Sequence, residues 1–166
     1  MKQTILQTVA LHNQVMAKRR QLLQLFKGLD VSVTIGGSYA LKAQCIEFAD
    51  REIHDIDFIV SGSGVSKVRF MLDCMVALGI IKSGNSNSSG GYTIGQVQGL
   101  KMEILINEDQ SRVKPDCFQF EYLEDILAVK KGYIRKYIRL HKEPRQKDVE
   151  DVQKLEKYLS DIDLPW

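Results

Sequence analysis

Residues 31–41 read VSVTIGGSYAL and residues 51–58 read REIHDIDF. Val31 to Ile35 is short, rich in β-branched residues and bounded by turn signals, which predicts a strand. Gly36-Gly37 then turns the chain into a helix expected from Ser38 to about Phe48. His54 to Val60 alternates Asp55, Asp57 and Ile59 with Ile56, Phe58 and Val60. Successive side chains of a strand point to opposite faces, so this is a strand with one apolar and one acidic face. Strand, glycine turn, helix and second strand together predict a mixed α/β (α+β) fold, a mixed sheet flanked by helices.

The flanks extend that order. The first 27 residues are expected to form one amphipathic helix, with Ile5, Val9, Met16, Leu23 and Phe26 near helical spacing and Gly28 closing it. Ser61 to Gly64 reads as a turn, and Val65, Val68, Leu72, Met75 and Val76 mark a helix ending at Gly79. Ser83 to Gly91 (SGNSNSSGG) reads as a surface loop between strands. Tyr92–Val97 and Leu100–Ile106 flank Gln98-Gly99 as a hairpin. From Tyr122 two helices follow, separated near Glu143, with Pro144 in the first turn of the second. The expectation is a single domain over 1–166, with its core at about 31–106 and a helical C-terminal extension at about 120–160.

Composition excludes several classes. The chain has 166 residues, 44% of them hydrophobic and 27% charged, as in ordinary soluble globular proteins. No window approaches about 18 consecutive apolar residues, so no membrane association is expected. The N-terminus shows no signal-peptide core. Cys45, Cys74 and Cys117 are odd in number and widely spaced, which reads as reduced thiols in the cytoplasm, with Cys74 a core residue. The net charge of +2 is uneven: from Lys130 to Lys147 there are eight Lys or Arg and one acid, Glu143. Such a run attracts phosphates, or is simply a solvated basic face.

Three features could carry chemistry. Gly36-Gly37-Ser38 lets backbone approach a phosphate at a helix N-terminus, where N–H groups and the dipole favour anions; taken alone it reads first as a capped tight turn. Asp55 and Asp57 project to one strand face, where two like charges are unfavourable unless a cation joins them. Oxygen ligands of this kind suit Mg²⁺ or Mn²⁺, and two metals about 3.5–4 Å apart can clamp a phosphoryl displacement. Glu103 lies within the apolar run Met102 to Ile106, where a carboxylate needs a partner: a shared metal site, or Lys101 or Arg112.

GGS, DxD on the next strand and an acid on a later strand resemble the nucleotidyltransferase superfamily typified by DNA polymerase beta. IGGSYAL (35–41) and REIHDIDF (51–58) are similar to its small prokaryotic branch, which includes abortive-infection toxins of toxin–antitoxin systems and antibiotic-modifying enzymes. EDILAVK (124–130) and RQKDVED (145–151) are similar to that branch's lysine helix and its K-D-x-x-D helix. The resemblance spans roughly Val31 to Leu159; the third acid is Glu103, where Asp is commoner. It implies transfer of a nucleoside monophosphate from a nucleoside triphosphate to an acceptor hydroxyl on RNA, protein or a small molecule. It further implies Mg²⁺ (or Mn²⁺) held by Asp55, Asp57 and Glu103, with Gly36, Gly37, Ser38 and Lys130 on the nucleotide. Asp148 would orient Lys130 or contact substrate, and a cognate protein partner is expected of the toxin type. The alternative is an inactive protein of this fold that binds nucleotide, nucleic acid or a partner.

Overall fold

The computed structural model describes residues 5–84, 91–108 and 113–162. The elements run α1 (Ile5–Leu25), β1 (Ser32–Gly36), α2 (Gly37–Gln44), a 3-10 turn (Ile46–Phe48), β2 (Asp55–Ser61), α3 (Val65–Ala77), β3 (Lys82–Ser83), β4 (Tyr92–Val97), β5 (Leu100–Asn107), α4 (Leu123–Arg139) and α5 (Gln146–Ile162). The mixed α/β fold expected of the sequence is the fold observed. The described residues divide into two compact units, one from 5–40 and 52–120, the other from 41–51 and 121–162.

The first unit is built on a five-stranded sheet of order β1-β2-β5-β4-β3, in which β2 and β5 are parallel and the other pairs antiparallel. Its register explains the alternation in the sequence. Ile35, Phe58, Ile104 and Tyr92 form one row across four strands, and all four are buried. The next row, Gly36–Asp57–Glu103–Thr93–Lys82, presents its side chains to the opposite face. On the apolar side the Tyr92 hydroxyl donates to Asp73 Oδ1 of α3 at 2.5 Å, and Val68 and Leu72 of α3 are buried. The outer edge of β1 is covered, with Ile35 N–H donating to the Gln119 carbonyl at 2.8 Å.

Met16, and Phe26 just beyond α1, are buried as expected, but the start of the stripe is not. Ile5 and Val9 are exposed, and the buried residues are Leu11, Val15, Met16, Arg19 and Leu22. Arg19 takes an apolar position because its guanidinium donates to three carbonyls: Val33 at 2.8 Å, Asp116 at 2.7 Å and Phe118 at 2.6 Å. A buried cation so satisfied is tolerated, and it ties α1 to β1 and to the segment before α4.

Other boundaries shift by a few residues. The helix expected to reach Phe48 ends at Gln44, and a 3-10 turn buries Phe48 instead. Pro144 precedes α5, which begins at Gln146, so it lies outside the first turn. Cys74 is exposed, on the outer side of α3, and is not core. Most of the Ser83–Gly91 loop lies outside the described residues, as does Arg112. Ser61-Gly62-Ser63-Gly64 is a packed turn: the Gly64 N–H donates to the Asp30 carbonyl at 3.1 Å, and a Cβ on Gly64 would overlap the Leu29 carbonyl.

In the second unit α4 packs against α5, with Leu41, Cys45, Phe48, Ile126 and Leu155 buried. The Arg51 guanidinium and the Lys154 ammonium both lie over the Phe48 ring, 5.5 and 5.6 Å from its centroid.

Candidate metal centre

Parallel pairing of β2 with β5 sets Asp57 opposite Glu103 and Asp55 opposite Lys101. Neighbouring strands lie about 4.8 Å apart, so this register suffices to gather the three acids on one sheet face. One carboxylate oxygen each from Asp55, Asp57 and Glu103 lies within 4.8 Å of the other two, and all three residues are half-buried. The two carboxylates expected on one strand face are therefore joined by the third, from the neighbouring strand.

Gly37 sits against this cluster. Its φ of +63° is left-handed, and a Cβ there would overlap Asp57 Oδ2. Two demands thus fall on one residue: the turn from β1 into α2 needs positive φ, and the Asp57 carboxylate needs the space a side chain would fill. Ser38 is buried in the first turn of α2. Gly37→Ala should cost about 2 kcal/mol of stability, from left-handed strain plus the clash. In an Asp57→Ala background the cost should drop by the clash component. Urea denaturation of the four-member cycle measures that coupling.

The cluster has an internal cation that the sequence offered only as one alternative. Lys101 Nζ lies 2.6 Å from Glu103 Oε1. The hydrogen bond that Lys101 donates to Glu103 raises the Lys101 pKa against a smaller opposing effect of desolvation, and the charges of Glu103, Asp55 and Asp57 raise it further. The ammonium therefore stays charged across the neutral range and offsets part of the carboxylate repulsion. The donor set is all oxygen, the chemistry preferred by a hard divalent cation such as Mg²⁺ or Mn²⁺, so the residues present fit such an ion. His54, adjacent in sequence, is exposed and lies 4.0 Å from the equally exposed Glu52 carboxylate, outside the cluster.

Lys130 and Asp148 occupy the second unit. Lys130 shares a buried face of α4 with Ile126, as its spacing predicts. Its Nζ lies 3.3 Å from Asp148 Oδ1 and 2.7 Å from Asp151 Oδ2. Arg145 Nε adds a 2.8 Å pair to Asp148, and Arg51 pairs with Asp151. Of the two roles open to Asp148, an ion pair with Lys130 is the one present. Asp151 is fully buried and holds two cations, with Oδ1 and Arg51 Nε left unpartnered among the described residues. Arg51 had no signal of its own in the sequence, since its partner lies 100 residues away.

No described helix is long and apolar enough to cross a membrane. Comparison with known proteins adds no relative: no family model, curated protein or solved structure matches the chain.

Proposed function

We propose that the chain is a Mg²⁺-dependent nucleotidyltransferase that moves a nucleoside monophosphate from a nucleoside triphosphate to an acceptor hydroxyl on RNA, a protein or a small molecule. The observation that carries this reading is the convergence of Asp55, Asp57 and Glu103 beside Gly37. The acceptor oxygen bonds to the α-phosphorus, the bond from that phosphorus to the β-phosphate oxygen breaks, and pyrophosphate leaves. Asp55 and Asp57 would hold the divalent cation, with Glu103 as a further ligand. When bound, the cation neutralises charge on the phosphoryl oxygens and lowers the acceptor hydroxyl's pKa. Glu103 takes the acceptor proton and passes it to solvent. The start of α2 at Gly36-Gly37-Ser38 offers backbone N–H groups and a hydroxyl to the triphosphate. The free thiols Cys45, Cys74 and Cys117 support a reducing compartment, the cytoplasm.

A second reading, an inactive protein of the same fold, is favoured by the Lys101–Glu103 pair, which satisfies the third acid without a metal. Glu103→Gln separates the two, because it keeps size and removes charge. For an enzyme, turnover should drop at least a hundredfold, with nucleotide affinity changed less than about threefold, the pattern of an interaction made in the transition state. Equal turnover in both proteins would demote Glu103 to a structural acid.

A further inference from the structure

We infer that Lys101 is an exchangeable counter-ion built into the acidic cluster, holding the carboxylates together until a divalent cation displaces its ammonium. This rests on the reading above that Asp55, Asp57 and Glu103 take a divalent metal. Lys101 lies two residues before Glu103 on β5 and opposite Asp55 on β2, so its side chain rises on the acidic face of the sheet. The ammonium contacts Glu103 at 2.6 Å. Three carboxylates so close would repel one another, and one ammonium offsets only part of that charge. A divalent ion at the same oxygens neutralises more of it and repels the ammonium.

Exposure decides whether the lysine can leave. The Lys101 side chain is 41% exposed and that of Glu103 16%. The exposed member of the pair is the lysine, so water takes over the ammonium as the pair opens. Lys130 is the contrast within the same chain. Its side chain is 10% exposed, and its partners Asp148 and Asp151 are 1% and 0% exposed. Releasing Lys130 would strand fully buried carboxylates, whereas releasing Lys101 leaves carboxylates that still reach solvent in part and that the incoming cation neutralises. One lysine is a fixed strut and the other a replaceable one.

Lys82 supplies the control. It is an exposed lysine in the Asp57–Glu103–Thr93 row, two strands from Glu103, and removing it makes the same change in net charge on the same face. Mn²⁺ binding to the full chain, followed by the electron paramagnetic resonance signal of free Mn²⁺ at fixed pH and ionic strength, tests the inference directly. Lys101→Met and Lys101→Gln should each tighten Mn²⁺ binding about tenfold, equivalent to about 1.4 kcal/mol. Lys82→Met should change it by less than about twofold. In a Glu103→Gln background, where the ammonium has lost its anchor, the gain from Lys101→Met should shrink below about threefold. Unchanged or weaker binding in both Lys101 variants, or an equal gain from Lys82→Met, would overturn the counter-ion role while leaving the metal site standing. If neither the natural chain nor the Lys101 variants bind Mn²⁺, the metal reading fails and the counter-ion role goes with it.

Discussion

Asp57→Asn should lose Mn²⁺ binding by at least a hundredfold while leaving the fold as stable as before or more so, by up to about 1 kcal/mol. The two effects have opposite signs because one group serves two balances. As a ligand, Asp57 contributes a charged oxygen that an amide replaces poorly. As part of the fold, it adds a third negative charge to a cluster that the Lys101 ammonium offsets in part. Asparagine keeps the shape that fits beside Gly37, so no cavity or clash is introduced. A residue retained for packing would behave the other way, losing stability on substitution. Calorimetric metal titration together with urea denaturation of Asp57→Asn distinguishes a functional acid from a structural one. Loss of stability with Mn²⁺ affinity intact would contradict the ligand role.

Lys130→Met should destabilise the C-terminal helices by about 3 kcal/mol, whereas Lys131→Met should cost less than about 1 kcal/mol. The two lysines are neighbours in sequence with opposite environments. Lys130 is shared between Asp148 and Asp151, both essentially without solvent access, and its removal leaves two buried carboxylates with Arg145 and Arg51 alone. Lys131 pairs with Glu156 at 2.5 Å, with both side chains substantially exposed, so water replaces the lost contact. Amide hydrogen exchange along α4 and α5 reads the difference, with protection lost in Lys130→Met and nearly unchanged in Lys131→Met. Similar losses for both would mean that the buried network does not hold the helices together.

Which parts were legible in the sequence follows from which interactions are local. The Asp55–Asp57 alignment needs only the period of a strand, and the residues between and around them, Ile56, Phe58 and Val60, are all fully buried as that period requires. The approach of Glu103 needs β2 and β5 to lie side by side and parallel, a pairing between residues 46 apart in register that no local pattern encodes; it was expected only through the resemblance. The buried place of Arg19 on α1 was not legible, because what satisfies it, the carbonyls of Val33, Asp116 and Phe118, is distant in sequence. Lys130 was singled out only through the resemblance, and the depth of its network was not legible, since Arg51 joins it from before β2. Lys101 could be named as a partner for Glu103, but its closeness to all three acids required the register.

The reading of the chain as a nucleotidyltransferase is tested most directly by incubation with Mg²⁺ and each of the four nucleoside triphosphates, labelled at the α-phosphate. Total RNA, protein lysate and a panel of small hydroxyl compounds serve as acceptors, with Asp57→Asn run in parallel. The account predicts label transferred to one acceptor class, with pyrophosphate released in equal amount, and no transfer by Asp57→Asn. No transfer from any triphosphate to any acceptor, or equal transfer by Asp57→Asn, would contradict it.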